Sequence, residues 1–374
     1  MDRRALLKSA GLAAAAGLAA CSPAAPQEGS SPAAPAVQTR QKRELRMVTT
    51  WPKNYPGLGV MAERTAEMVG KLTDGALTVR VFGAGEVVGA FEAFDAVSTG
   101  AADMYHGAEY YWQGKSPGFS FFTAVPMGLT ETEMLGWLKF GGGQALWETL
   151  SAQFNIIAFP AGSTGHQTGG WYKCEINSLE DFRGLTVRMP GLGGEVMRGL
   201  GAAAVALPGA EIYQALQSGA IDATEWVGPW NDLAFGFHRE AKFFYGPGFH
   251  EPGSILATGV NRGVWDSLTA ADQAAVRAAC DYALAQSMGE YQFYNAQALD
   301  TLVTEHGVQL RQFSDAIWRE VARVSEEVVA DIGGRDPETK AIYDSYRGAR
   351  ARALVWSGLG DGPYLRARAL SEQA

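Results

Sequence analysis

The sequence predicts an α/β protein with two lobes, followed by long helices that brace them. At 374 residues the chain is longer than one hydrophobic core usually supports, so two lobes are expected. Two successive stretches alternate short β-like runs with helical patterns, which favours mostly parallel sheets covered on both faces. After Thr269 the pattern becomes mainly helical.

The first run of elements lies between residues 45 and 159. Strands are predicted at Leu45–Thr50, Leu77–Phe82, Ala102–His106 and Ile156–Phe159. Helices are predicted at Gly57–Leu72 and Phe91–Ser98, and a helical pair at Glu131–Phe154. Three glycines at 141–143 break that pair.

The second run repeats this alternation and ends in long helices. Extended segments are predicted at Gln167–Tyr172, Leu185–Met189 and Ala223–Val227. Short helices are predicted at Gly194–Leu200 and Ala210–Ser218, and long ones at Thr269–Glu305 and Ala316–Ile332. The long helices indicate a spine and a C-terminal brace.

The first forty residues have the composition of an export signal and a linker. Arg3 and Arg4 precede a short Ala-rich run, so residues 1–20 are predicted to be a signal peptide of twin-arginine character. Residues 21–43 are rich in Pro, Ala, Ser and Gln and are predicted to form a flexible tether. Cys21 ends a lipobox-like Leu-Ala-Ala-Cys, which predicts a lipid anchor; the alternative is an ordinary cleavage site beside a cysteine.

Composition and motifs exclude several function classes. The net charge is −9 without a long basic run, which argues against a nucleic-acid surface. The three cysteines are too scattered for a CxxC pattern, and the five histidines offer no HExxH spacing, so a zinc enzyme is not indicated. No GxSxG elbow, P-loop or dinucleotide fingerprint occurs.

Polar residues at three predicted strand ends point to one cleft. Gln167 begins the second run, Arg188 ends a strand and Glu225 lies at another strand end, and ligands of α/β sheets bind at such carboxyl ends. Arg188 offers a planar fork of donors that suits a carboxylate. The alternative for Arg188 is a surface ion pair with Glu180 or Asp181.

The neighbourhood of Glu225 suggests a cation. A carboxylate buried beside Trp226 needs a positive partner, although strand alternation allows Glu225 to point to solvent instead. The oxygens of Gln167 and Glu225, with main-chain carbonyls, suit Na⁺ or Ca²⁺. Charge counting favours Na⁺, because Arg188 and a monovalent ion would balance Glu225 and a monocarboxylate. Candidate aromatic walls are Trp51, Tyr110, Tyr111, Trp112, Trp171 and Trp230.

Several longer motifs resemble one family. They are the Gly-Leu-Thr-Val-Arg strand ending at Arg188 and the segments Phe82–Glu86, Tyr110–Lys115, Gly165–Trp171, Glu211–Asp222 and Ile221–Pro229. Together they resemble the substrate-binding proteins of TRAP transporters, the DctP-like family. Within it they are similar to the branch that binds 2-oxoacids such as pyruvate, and lactate, with a metal ion.

The resemblance implies a fold and a set of roles. It implies a two-lobed periplasmic-binding-protein clamshell with a long helix contacting both lobes and a helical C-terminal segment. Lobe I would comprise residues 44–164 plus 252–300, and lobe II residues 165–251 plus 301–374. Arg188 would bind the substrate carboxylate, with Gln167, Tyr110, Trp51 and Trp230 around the substrate. Gln167, the side chain of Glu225 and the main-chain oxygen of Trp226 would hold the cation.

The implied partners are a small carboxylate and the TRAP membrane permease subunits, in the periplasm. Some members of this branch form homodimers through exchanged C-terminal helices, which the long pattern after Asp315 permits. Two other functions stay open at this point. One is a ligand-sensing lipoprotein that presents a small acid to a receptor. The other is an exported enzyme that acts on such acids, with Glu225 or His166 as general acid or base.

Overall fold

A computed structural model describes residues 42–371 of the chain. The predicted signal peptide and Cys21 lie outside the described residues, as does nearly all of the predicted tether. Arg43, the last residue of that tether, already belongs to the first strand. Among the described residues, no helix has the length and apolar character that crossing a bilayer requires.

The first sheet contains five strands in the order β2-β1-β3-β10-β4. They are β1 (Arg43–Thr49), β2 (Leu77–Phe82), β3 (Met104–Gly107), β4 (Ile156–Gly165) and β10 (Ser254–Asn261). Strands β1, β2 and β3 are parallel, whereas β10 is antiparallel to both of its neighbours, β3 and β4. All eight residues of β10 are buried, so no polar alternation marks this strand in the sequence.

The second sheet contains six short strands in the order β11-β9-β5-β8-β6-β7. They are β5 (Gly170–Tyr172), β6 (Thr186–Arg188), β7 (Ala203–Val205), β8 (Ala223–Thr224), β9 (Phe243–Tyr245) and β11 (Gln309–Arg311). Strand β5 is antiparallel to β8 and β9, and the other pairs are parallel. The expectation of mostly parallel sheets therefore fails at β5 and β10, which flank the connections between the sheets.

Twelve α-helices cover the sheets within residues 42–371. They are α1 (Leu58–Leu72), α2 (Ala93–Ser98), α3 (Glu131–Phe140), α4 (Gly143–Ala152), α5 (Gly191–Gly199), α6 (Gly209–Ser218), α7 (Pro229–Phe235), α8 (Arg262–Asp266), α9 (Ala270–Thr304), α10 (Asp315–Gly333), α11 (Pro337–Ser357) and α12 (Asp361–Ser371). The break predicted between α3 and α4 is confirmed, and Gly142 there has a φ of 89°, which favours glycine.

The long helix α9 contacts elements of both sheets. Its 35 residues span about 50 Å at 1.5 Å per residue. It packs on β4 and α1 beside the first sheet and on α7, which follows β8 of the second. The prediction of a long helix that bridges the two halves is confirmed.

The chain passes between the sheets several times. Residues 165–170 lead from β4 to β5, and residues 245–254 return from β9 to β10. Helix α9 then leads to β11, and α10 packs on α5. Helix α11 packs on α3 and α4, beside the first sheet.

A buried asparagine joins the two halves away from these connections. Asn231 of α7 is fully buried, and its Nδ2 donates to the carbonyl of Pro56 at 2.8 Å. Its Oδ1 accepts from the Tyr291 hydroxyl at 2.7 Å, and its main-chain oxygen accepts from the Tyr55 hydroxyl at 2.5 Å. One residue therefore connects α7 with the loop before α1 and with α9.

We expect Asn231→Ala to destabilise the protein by about 2–4 kcal/mol, because it leaves a partly buried carbonyl and a buried hydroxyl without partners. The measurement is urea denaturation followed by tryptophan fluorescence. Asn177→Ala, at an exposed position, is the matched control and should change stability by less than about 0.5 kcal/mol. Equal stabilities for the two variants would contradict the structural role of Asn231.

Candidate ligand and metal site

Arg188 is the centre of a buried polar cluster at the carboxyl end of β6. Its side chain is about 1% exposed. Nε donates to the main-chain carbonyl of Leu207 at 3.1 Å. Nη1 donates to two oxygens of Glu225, the main-chain carbonyl at 2.9 Å and the side-chain Oε1 at 2.5 Å. Nη2 is buried and has no hydrogen-bond partner among the described residues. One charged donor therefore stays available for an anion.

Glu225 follows β8, the strand beside β6, and the register places it next to Arg188. Arg188 pairs with Thr224 in this parallel ladder, so the residue after Thr224 reaches the guanidinium. The Glu225 side chain is about 1% exposed. Arg188 is thus one positive partner of the buried Glu225, and the metal cation expected at Glu225 stays a prediction. The two alternatives, a solvent-facing Glu225 and a surface ion pair for Arg188, are wrong, because both side chains are buried.

Gln167 offers an oxygen to the same region. Its Nε2 donates to Thr164 Oγ1 at 3.0 Å and to Glu251 Oε2 at 2.8 Å, which orients the side-chain amide. Its Oε1 is buried and has no hydrogen-bond partner within residues 42–371. A buried amide oxygen without a donor is suited to a hard cation.

Two residues of the cluster, His250 and Glu251, were missed at the sequence level. They lie in the connection from β9 to β10, and one possible ligand atom from each of Glu225, His250 and Glu251 lies within 4.8 Å of the others. His250 Nε2 is 3.3 Å from Glu225 Oε2. The sequence signal is a His-Glu pair between Gly248 and Pro252, which has no periodicity and no recognised ligand spacing.

Burial and mutual charge shift the titration of these groups. Burial, followed by the negative charge of Glu225, raises the pKa of Glu251 to about 7. Burial acts to lower the pKa of His250, but its hydrogen bond to Glu225 and the two nearby carboxylates raise it above its usual value. Burial and the charges of Glu251 and Glu225 raise the pKa of Tyr110, so its phenol stays protonated at neutral pH.

The predicted aromatic residues have different surroundings. Tyr110 is buried beside Tyr111, with ring centroids 4.8 Å apart, and its ring lies over Gly191 at the start of α5. The indole of Trp51 is buried and donates to His106 Nδ1 at 3.2 Å. Trp226 lies under Arg188, with the guanidinium carbon 5.1 Å from the ring centroid.

Trp230 is directed towards the long helix. Its ring stacks on Tyr294 with centroids 4.8 Å apart and meets Tyr291 edge-on at 5.2 Å. Of the other candidate walls, Trp171 donates to Asp232 at 2.8 Å and Trp112 packs against Phe94. These rings are engaged in packing between elements.

The arrangement can hold an anion and a cation side by side. Arg188 Nη2 supplies a charged donor, and Gln167 Oε1 with the carboxylates of Glu225 and Glu251 supplies oxygen ligands of the type that sodium and calcium prefer. The donor set of this structure therefore fits a hard cation.

Residues 47–335 match the family of bacterial extracellular solute-binding proteins, family 7, named DctP. The chain belongs to this family. It is 39% identical over 319 residues to a monocarboxylate 2-oxoacid-binding periplasmic protein of Nostoc sp. strain PCC 7120, which covers 85% of this chain and 87% of that protein. The predicted family is thereby confirmed.

Two solved structures of TRAP periplasmic solute-binding proteins are similar to this chain over most of its length. The protein from Pseudoalteromonas atlantica T6c, with bound sodium and pyruvate, is 37% identical with a TM-score of 0.85, covering 87% of this chain and 99% of that one. The protein from Colwellia psychrerythraea, with bound calcium and pyruvate, is 36% identical with a TM-score of 0.85, covering 87% and 100%. The predicted fold class, two-lobed α/β with a helical C-terminal segment, is confirmed.

Proposed function

We propose that this protein is the extracytoplasmic solute-binding protein of a TRAP transporter. It binds small 2-oxo or 2-hydroxy monocarboxylates, such as pyruvate or lactate, together with a metal ion. The observation that carries the proposal is the buried Arg188 Nη2, a charged donor without a partner among the described residues, in the same cluster as the unpartnered oxygen of Gln167. Solute-binding relatives that hold pyruvate with sodium or calcium support it.

Each residue of the cluster has a role in this proposal. Arg188 binds the substrate carboxylate, and Gln167 Oε1, the Glu225 side chain and the main-chain oxygen of Trp226 hold the cation. Glu251 joins these ligands because it lies within the same group of buried carboxylates. The metal ion, when bound, would attract both the carboxylate and the adjacent 2-oxo or 2-hydroxy oxygen of the acid to the cation site.

The aromatic residues Tyr110, Trp51 and Trp230 border the substrate in this proposal. Tyr110 is supported by its position close to the charges of Glu251 and Glu225. Trp51 belongs to the same buried cluster as Tyr110, and Trp230 packs against it. The stacking of Trp230 on Tyr294 of α9 would fix the position of its ring beside the substrate.

The two sheets form the two lobes of a clamshell in this proposal. Residues 44–164 plus 252–300 form lobe I and residues 165–251 plus 301–374 form lobe II, except that α11 packs with lobe I because it lies on α3 and α4. Closure on the acid precedes delivery to the permease. The protein works in the periplasm after export by a twin-arginine signal, tethered through lipid on Cys21.

The enzyme alternative has less support than binding. It needs Glu225 or His166 as general acid or base, but Glu225 is paired with Arg188 and His166 is exposed. We propose that the protein acts by binding and has no catalytic role.

The exposed C-terminal helices support a homodimer as part of this proposal. Helix α12 has no buried residue. Large apolar side chains are exposed along the end of α11 and along α12: Leu354, Val355, Trp356, Leu359, Tyr364, Leu365 and Leu370. Exchange of these helices between two copies would cover this surface.

Light scattering after gel filtration should give a dimer mass for the wild type. The Val355→Asp, Trp356→Asp double variant should give a monomer mass, because the charges disfavour burial of this surface. A monomeric wild type would contradict this part of the proposal.

The proposal predicts that small acids stabilise the protein in a metal-dependent way, because binding favours the folded state. The measurement is a thermal melt with pyruvate, 2-oxobutyrate, lactate and C4-dicarboxylates, in sodium, in calcium, or in a sodium-free buffer that contains a calcium chelator. Pyruvate or a related monocarboxylate should raise Tm most, and removal of the metal should reduce the shift. A flat response to all acids would overturn the proposal.

Arg188→Lys should weaken pyruvate binding by about 10- to 100-fold, because the ammonium keeps the charge but loses the planar fork. The measurement is titration calorimetry at saturating metal. Arg183→Lys, at an exposed position, is the matched control and should bind as the wild type does. Unchanged affinity in Arg188→Lys would remove Arg188 from the site.

The charge of Glu251 bears on the choice of ion. The prediction of sodium over calcium counted Glu225 alone and stays a prediction. With His250 neutral and Glu251 ionised, the three carboxylates of Glu225, Glu251 and the acid exceed Arg188 by two charges, which a calcium ion balances. With His250 neutral and Glu251 absent they exceed it by one, which sodium balances.

Glu251→Gln should therefore shift the ratio of pyruvate affinities in calcium and in sodium towards sodium, by about 10-fold, equivalent to about 1.4 kcal/mol. Calorimetric titrations in each ion measure this ratio. Glu180→Gln at an exposed position controls for the loss of a surface charge and should leave the ratio unchanged. A ratio that is the same in Glu251→Gln and the wild type would show that Glu251 does not take part in ion selection.

A further inference from the structure

A buried carboxylate braces the segment that carries the proposed cation ligands. Asp232 lies in the first turn of α7 and is fully buried. Its Oδ1 accepts from the main-chain N–H groups of Val227 and Gly228 at 3.2 and 3.1 Å, and its Oδ2 accepts from the Trp171 indole at 2.8 Å. Oδ1 is therefore directed at the connection between β8 and α7, and Oδ2 at β5.

The first of these hydrogen bonds determines the orientation of one peptide group. The N–H of Val227 and the carbonyl of Trp226 belong to the same peptide unit. Within residues 42–371 the cis peptide bond is Gly246–Pro247, so the Trp226–Val227 peptide is trans and its N–H and carbonyl point in opposite directions. Because Asp232 holds the N–H, the carbonyl of Trp226 is directed away from Asp232.

Neighbouring contacts restrict the same segment. The carbonyl of Val227 accepts from the N–H of Thr168 at 3.1 Å, which ties the segment to the residue after Gln167. The ring of Trp226 lies under the Arg188 guanidinium. Asp232 is also hydrogen-bonded to Trp171 of β5, so it joins the strand that follows Gln167 to the segment that follows Glu225.

We propose that Asp232 is a positioning residue for the metal ion: it orients the carbonyl of Trp226 and the segment 226–228 for cation binding. This inference rests on the proposed function, in which that carbonyl is a ligand. A hydrogen-bond acceptor on the N–H of a peptide also increases the negative charge on its carbonyl oxygen, which strengthens a bond to a cation. Residues that do not contact the metal but hydrogen-bond to its ligands typically lower metal affinity by 10- to 100-fold when they are replaced.

The test separates metal affinity from acid affinity. Asp232→Ala removes both acceptors, and pyruvate binding is titrated at a series of calcium concentrations and, separately, of sodium concentrations. We expect the metal concentration for half-maximal pyruvate binding to rise at least about 10-fold, while pyruvate affinity at saturating metal stays within about threefold of the wild type. Hydrogen exchange of the metal-free protein should become faster in the segment 226–228.

A second variant keeps the test decisive if Asp232→Ala does not fold. In Asp232→Asn the new amide N–H₂ would oppose the indole N–H of Trp171, so Asp232→Asn is combined with Trp171→Phe. The remaining amide oxygen can still accept from the N–H groups of Val227 and Gly228. The half-maximal metal concentration of this double variant should therefore lie between those of the wild type and Asp232→Ala. If Asp232→Ala cannot be measured, the value should still lie above that of the wild type.

Tyr346→Phe is the matched control. The Tyr346 hydroxyl is buried and accepts from the main-chain N–H of Leu129 at 2.7 Å, in a part of the core outside the proposed site. Its loss should lower stability without changing the metal dependence or the exchange of the segment 226–228.

The outcomes are distinguishable. If the wild type binds pyruvate, two results would overturn the positioning role of Asp232. One is an unchanged half-maximal metal concentration in the folded Asp232 variants. The other is a loss of pyruvate affinity that saturating metal does not restore. Absence of binding of pyruvate, 2-oxobutyrate and lactate by the wild type in either ion would instead overturn the proposed function, and the role of Asp232 with it; if one of the other acids binds and pyruvate does not, that acid replaces pyruvate in the test.

Discussion

The buried ion pair between Arg188 and Glu225 is the constraint on which the rest of the site depends. Removing two charges from water is unfavourable, and a direct contact with further hydrogen bonds is needed to compensate. Arg188 meets this requirement with only part of its donor set, because Nε and Nη1 are bonded within the protein whereas Nη2 is not. The guanidinium is therefore held in place by the fold before any anion arrives, which reduces the ordering that binding requires.

The groups around this pair come from three connections rather than from one motif. Gln167 lies on the way from β4 to β5, Glu225 on the way from β8 to α7, and Glu251 on the way from β9 to β10. Two of these connections also join the sheets. A ligand that contacts all three connections would therefore contact the segments that must bend when the halves move. In the proposed mechanism, this links ligand binding to the relative position of the halves.

The sequence was most informative where a side chain has to satisfy a local rule. The positions of Arg188 and Glu225 follow from the carboxyl-end rule for α/β sheets. Gln167 instead precedes β5, at the amino end of that strand, and it reaches the same edge of the sheet because β5 is antiparallel to β8. The helices α1, α3, α4 and α9 follow from periodicity and glycine breaks. Strand β10 was missed because burial on both faces removes alternation. Glu251 was missed because its place beside Glu225 and Gln167 depends on a distant pairing that local sequence does not encode.

Strand β10 lies in the interior of the first sheet, between β3 and β4, although it follows the whole second sheet except β11 in the chain. During synthesis, β3 and β4 emerge without the strand that joins them, and Ala257 meets Gly107 and Pro160 only after the intervening segments have left the ribosome. Closing so long a loop is entropically unfavourable and slow. The two halves are therefore interdependent in biogenesis: an N-terminal fragment ending before Ser254 would lack the interior strand that joins β3 to β4.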